Sequence, residues 1–194
     1  MSAIEIHAKY GREMSFHRWL KAHVMVGTRT NIVTTAEVTD SSFNDCPMLP
    51  TLLNTSAKRF TMKRISADKG YLSAGNVQAI VAVGAVPFVP PKVNTRFKTP
   101  PPDASRKKSE QWNRMLHYYS YRKEDFLRHY HRRSNVETTF HMIKAKFGSC
   151  IRSKTQVAAT NEVLCKVLCH NLCVLVQSIY ELGIEATFWK QQSA

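Results

Sequence analysis

A mixed α/β fold, rich in strands at its start and helical at its end, is what this sequence of 194 residues predicts. Three observations carry that expectation. Two β-branched-rich runs, Leu20 to Val26 and Asn31 to Val38, flank Gly27, Thr28 and Arg29 and read as a hairpin. Residues 62 to 89 read as strand, loop, helix, strand, whose natural geometry is a right-handed parallel crossover. From Gln111 onward nearly every stretch has helical periodicity.

Taken in order, the hairpin precedes a short helix from Asp45 through Leu53. Met62 to Ala67 reads as a strand that ends at Asp68-Lys69-Gly70-Tyr71, and Ser73 then caps a helix running to about Val83. Gly84 closes that helix, and Val86 to Val89 is a buried strand before Pro90-Pro91. Asp68 therefore stands at the carboxyl end of its strand, the edge where ligands bind in open α/β sheets. Lys92 to Ser109, with Pro100-Pro101-Pro102 among cations, reads as a connector. The helices that follow span Trp112 to about Tyr121, Lys123 to His131, Ser134 to Phe147 and Gln156 to Leu182, the last ended by Gly183. One domain is expected: a β-rich part over 1–91, a basic Pro-rich loop over 92–110 and a helical part over 111–194.

Tyr130, Arg133, Glu137 and Lys144 share one side of a predicted helix. At about 100° per residue they fall within roughly 60° around its axis. Val136, Phe140, Ile143 and Phe147 form the adjoining apolar stripe, which leaves Glu137 at the edge of the packing, partly shielded yet reachable. A tyrosine, a cation, a carboxylate and another cation, in that order, suit the handling of a phosphate near a metal. A solvated charged face has the same pattern.

Composition favours an anionic partner. Lys+Arg 28 against Asp+Glu 14 gives a formal net charge of +14 and a pI of about 9.8, the footprint of a chain that meets nucleic acid. The cations cluster. Lys92, Arg96, Lys98, Arg106, Lys107 and Lys108 form one group; Arg122, Lys123, Arg128, Arg132 and Arg133 a second; Lys144, Lys146, Arg152 and Lys154 a third. Such patches bind DNA or RNA by counterion release, with strong salt dependence and no base specificity.

Met1 to Gly11 carries no apolar core after a basic start, and no run of about 18 apolar residues occurs, so neither a secretory signal nor a membrane span is expected. Five cysteines without a signal peptide argue for reduced thiols in a reducing compartment. Cys165, Cys169 and Cys173, beside His170, have helical spacing that resembles a ligand set. In so apolar a helix they are expected to act as small hydrophobes instead.

The Asp68-Lys69-Gly70-Tyr71 turn after a strand, with Tyr130, Arg133, Glu137 and Lys144 on a helix, resembles the catalytic half of bacterial insertion-sequence transposases of the DDE class. The likeness extends to Trp19-Leu20-Lys21-Ala22-His23, Val86-Pro87-Phe88-Val89-Pro90 and His170-Asn171-Leu172. It implies an RNase-H-like mixed sheet followed by a helical half. It also implies Mg²⁺ or Mn²⁺ held by Asp68 and Glu137 as second and third catalytic carboxylates, for cleavage and transfer of DNA strands by in-line displacement at phosphorus. Arg133 and Lys144, with Tyr130, Lys69 and Arg132, would contact DNA at transposon ends and target. The implied setting is the bacterial cytoplasm and nucleoid, with a homo-oligomer or co-assembly with intact transposase.

The family's first catalytic aspartate stands on a first strand, upstream of the region resembling Tyr10 to His23. Before Asp40 the acids are Glu5, Glu13 and Glu37, none in that context. The expectation is thus an N-terminally truncated transposase that lacks its first strand and leaves an open sheet edge. It is an enzyme when complemented by that strand, or else a catalytically inactive remnant that binds DNA or a partner. A basic helical RNA-binding protein is a third reading, without the aromatic-interleaved sheet motifs that read single strands.

Overall fold

The computed structural model describes residues 19–101 and 106–183. The readings made on Met1 to Gly11 and on Tyr10 to Arg18 lie outside them.

Leu20–Val26 (β1) and Val33–Asp40 (β2) pair antiparallel, with Leu20 opposite Asp40 and a register shift between Met25 and Val26. Met48–Ala57 (α1) follows and buries Leu49, Leu52 and Leu53. Arg64–Ser66 (β3) leads through a 3-10 turn at Lys69–Tyr71 into Ala74–Ala82 (α2) and then Val86–Phe88 (β4). β3 and β4 pair in parallel, so the crossover expected over residues 62 to 89 is present. Ser73 caps α2, its hydroxyl accepting from Asn76 N at 3.1 Å, and Gly84 leaves the helix at φ 79°, where a Cβ is unfavourable.

The helical part comprises Arg106–Tyr121 (α3), Lys123–Tyr130 (α4), a 3-10 turn at His131–Arg133, Ser134–Phe147 (α5) and Gln156–Leu182 (α6). Two sequence expectations are corrected here. Arg106 to Ser109, assigned to the connector, form the first turn of α3, where Arg106 pairs with Glu110 at 2.7 Å across one helical turn. Tyr130, Arg133, Glu137 and Lys144 do not share one continuous α-helix: Tyr130 ends α4, Arg133 lies in the 3-10 turn, and Glu137 and Lys144 belong to α5.

Among the described residues the strands make two separate two-stranded sheets, β1-β2 and β3-β4. The architecture is mixed α/β. One core gathers Leu53, Ile65, Val77, Ile80, Phe88, Trp112, Met115 and Phe126 from α1, β3, α2, β4, α3 and α4. A second core joins Leu20 and Ala22 of β1 to Phe140 of α5 and to Ala159 and Val163 of α6. Val33, Ile143 and Val167 make a third small cluster across β2, α5 and α6.

α6 packs through Ala159, Val163, Val167, His170 and Val174, a row with steps of three and four residues. The three thiols lie off that row. Cys165 and Cys169 are exposed and Cys173 half-buried, which corrects their expected role as buried small hydrophobes. By length and composition alone this helix of 27 residues, with a window of mean hydropathy 1.5, is long and apolar enough to cross a membrane. Its inward row is nonetheless packed on protein.

Candidate active site

A cavity of about 530 Å³ opens between β1 and β3 and extends to the segment that joins α4 to α5. Asp68 and Glu137 both line it, with Arg132, Arg133 and His129. The sequence order of these elements explains the meeting. β3 ends in the turn that presents Asp68, and Ser66 Oγ donates to His129 O at 2.9 Å, tying the strand end to the last turn of α4. That carbonyl, which also receives the backbone N–H of the cap residue His131, lies at a helix end where acceptors are left open to partners of this kind.

The Asp68 turn is fixed at its other end as well. Tyr71 N donates to Asp68 O at 2.9 Å, and Tyr71 O accepts from Asn76 Nδ2 at 2.8 Å. The Tyr71 hydroxyl reaches His23 Nδ1 of β1 at 3.4 Å, while His23 Nε2 lies 2.8 Å from Thr39 Oγ1. Burial, with Asp45 and Asp68 nearby, holds the Tyr71 phenol neutral by raising its pKa.

Arg133 connects the two carboxylates. Its Nε donates to Tyr130 Oη at 2.8 Å and its Nη1 to Glu137 Oε1 at 3.0 Å, while Tyr130 Oη lies 3.5 Å from Asp68 Oδ1. Burial works against the charged guanidinium, yet Tyr130, Asp68 and Glu137 together raise its pKa above the usual value. Burial raises the Tyr130 pKa too, against the pull of Arg133. Glu137 itself is 55% exposed, more open than the shielded edge position expected of it. As an acid in the first turn of α5 it also complements the helix dipole.

The remaining predicted site residues separate. Arg132 lines the cavity and is exposed. Lys69 is exposed beside Asp68 and does not line it, and Lys144 sits two turns beyond Glu137 in the last turn of α5, also away from it. Sequence reasoning passed over His129, whose pKa is lowered by burial and then by Arg64, and over the cavity cations Arg29, Lys63 and Arg64. His129 adjoins Tyr130, but nothing in its spacing marks it, because the bond from Ser66 to its carbonyl is a tertiary feature.

Asp68 and Glu137 are hard oxygen donors with solvent access, a chemistry that fits Mg²⁺ or Mn²⁺ with positions left for phosphate oxygens. Among the described residues no group of three potential ligands converges. The two residues would hold such an ion, which supplies Lewis-acid activation of the attacking oxygen and stabilisation of the leaving one.

The family described as transposase DDE domain matches residues 4–172. The chain belongs to that family. No curated protein and no solved structure gives a match. As a DDE transposase domain its function is DNA transposition and recombination, its partner is DNA, and its family's chemistry uses a divalent metal. The DDE domain's basic balance of +14 is in keeping with that partner.

Proposed function

We propose that the cavity is the centre for metal-dependent cleavage and transfer of DNA strands, with Asp68 and Glu137 as the carboxylates that hold Mg²⁺. One observation carries this reading: two acids from distant elements line one cavity and share Arg133. Arg133 keeps Glu137 and Tyr130 in place and neutralises the pair until an ion arrives. Arg132 and Arg133 hold phosphate at the cavity, while Lys69 and Lys144 extend the contact along the backbone. Transposon ends and target DNA are the substrates, met in the cytoplasm and nucleoid. The working unit is a homo-oligomer or a co-assembly with intact transposase.

The RNase-H-like fold belongs to the same proposal. Each two-stranded sheet leaves one edge of β1 and one of β3 without a strand partner among the described residues, and both strands line the cavity. One more strand between them would fuse the pairs into a single mixed sheet, and an acid on it would reach the carboxylate pair.

The test is Mn²⁺ binding followed by calorimetry, beside nicking of a supercoiled plasmid in Mg²⁺. Binding by the parent with loss in Asp68→Asn and Glu137→Gln supports the site. Equal binding by either variant overturns it. Metal and DNA binding without nicking in any divalent ion would leave a binding-only transposase remnant as the function.

A further inference from the structure

The cations Arg29, Lys63 and Arg64 also line the cavity, and they come from the strand part of the molecule, apart from Arg132 and Arg133 of the helical segment. All three are exposed, and none has a carboxylate partner among the described residues. Of the two acids that line this cavity, Glu137 is already paired with Arg133, and Asp68 alone cannot balance three cations. Unpaired like charges around one opening repel each other and focus a positive potential there, which a polyanion relieves.

The backbone beneath them is fixed, so these are placed charges and not a loose fringe. Arg29 stands in the turn between β1 and β2, closed by Gly27 N to Ile32 O at 2.9 Å and Asn31 N to Gly27 O at 3.0 Å. Asn31 takes φ 56°, a left-handed conformation that asparagine adopts more readily than other side-chain-bearing residues in turns. Two helices then fix the turn in place. Asn135 Nδ2 of α5 donates to Thr28 O at 2.8 Å and to Asn31 Oδ1 at 3.1 Å, and His170 Nε2 of α6 lies 2.9 Å from Asn31 O. Asn171 then pairs with both backbone groups of Val33, accepting from N and donating to O at 2.8 Å each. Lys63 and Arg64 are fixed by the sheet: Val86 N donates to Lys63 O at 3.0 Å, and Arg64 stands opposite Val86 in the parallel ladder.

We propose that Arg29, Lys63 and Arg64 form a phosphate-binding wall that grips the DNA backbone beside the carboxylate pair, a second grip distinct from the cations of the α4–α5 segment. This rests on the reading of the cavity as the DNA site. Contacts to phosphate add affinity and placement without sequence preference.

The experiment measures the affinity of the full chain for a duplex oligonucleotide of arbitrary sequence from about 50 to 200 mM NaCl, without divalent ion. Each phosphate contact contributes about 0.9 to the slope of log affinity against log salt, so Arg29→Ala/Lys63→Ala/Arg64→Ala should flatten the slope by roughly 2 to 3. A charge-matched control, Lys58→Ala/Arg59→Ala/Arg114→Ala, removes exposed cations that lie outside the basic clusters and do not line the cavity, and should change it by less than about 1. A steep parent slope that the wall variant keeps overturns the wall and leaves the carboxylate site standing. Equal flattening by both variants also overturns it, since binding would then be spread over the surface. A parent with no salt-dependent affinity removes the DNA reading of the cavity itself.

Discussion

His23 is fully buried between Thr39 and Tyr71, and its environment decides how the domain answers to acid. Burial lowers its pKa; Asp45 opposes that shift, and Lys21 adds to it. The unfolded chain takes up this proton near pH 6.5 while the folded one resists it, so the unfolded state binds more protons and stability falls as pH drops below about 6.5. His129, lowered by burial and by Arg64, acts in the same direction. Urea unfolding at pH 7.0 and 5.5 is expected to show the lower midpoint at 5.5, and His23→Gln should flatten that difference. A variant with the parental pH slope would assign it elsewhere. Arg133 makes a second prediction at this scale. Arg133→Lys keeps the charge but cannot span Tyr130 and Glu137 from one planar head. Because misplacement by about 1 Å costs about a hundredfold, strand cleavage should drop on that order while DNA affinity at a fixed salt changes little.

The elements divide by how local their causes are. Ser73 and Gly84 mark both ends of α2, and Ser73→Ala should cost about 1 kcal/mol in chemical denaturation, the usual worth of such a cap. Signals of this kind made the hairpin, the parallel crossover, α5 and α6 legible in the sequence within a residue or two. The ends of α4 and α5 were legible within a residue, but the 3-10 turn that joins them was not, because no glycine or proline marks it. Tyr130 is held in the core while Arg133 turns toward Glu137, and the tie from Ser66 to His129 O fixes the helix end from another part of the chain. For the same reason sequence reading found Asp68 and Glu137 but not Arg29, Lys63 and Arg64, whose approach depends on how two short sheets face one cavity. Asn171 is the clearest tertiary device among the elements. Asn171→Ala strips Val33 of partners for both its N–H and C=O, and a loss of about 1–3 kcal/mol is expected from thermal or urea unfolding.

At the scale of the molecule, the larger core carries the Asp68 turn through Tyr71 and the α4–α5 segment through Phe126 and Tyr130. Phe126 is fully buried, with its ring 5.2 Å from those of both Phe88 and Tyr119. Phe126→Ala should therefore cost about 3–5 kcal/mol and lower the temperature at which Mn²⁺ binding is lost, since Tyr130 rests on the same cluster. The smaller core positions Glu137 from the opposite side, through Phe140 of α5 against Leu20 and Ala22 of β1. The two carboxylates thus stand on separate cores, and only their joint assembly makes the cavity.

The ties at the tip of the hairpin bear on how the chain is made. β1 and β2 are neighbours in sequence and pair within microseconds once both exist. The groups that hold their connecting turn lie 104 to 139 positions further along, on α5 and α6. At about 5–20 residues per second, synthesis brings those helices on the order of ten seconds later. During that interval the turn is closed by its local bonds alone, from Gly27 N to Ile32 O and from Asn31 N to Gly27 O. The tip of the hairpin is therefore the last part of the strand region to gain its tertiary ties, which wait for both α5 and α6.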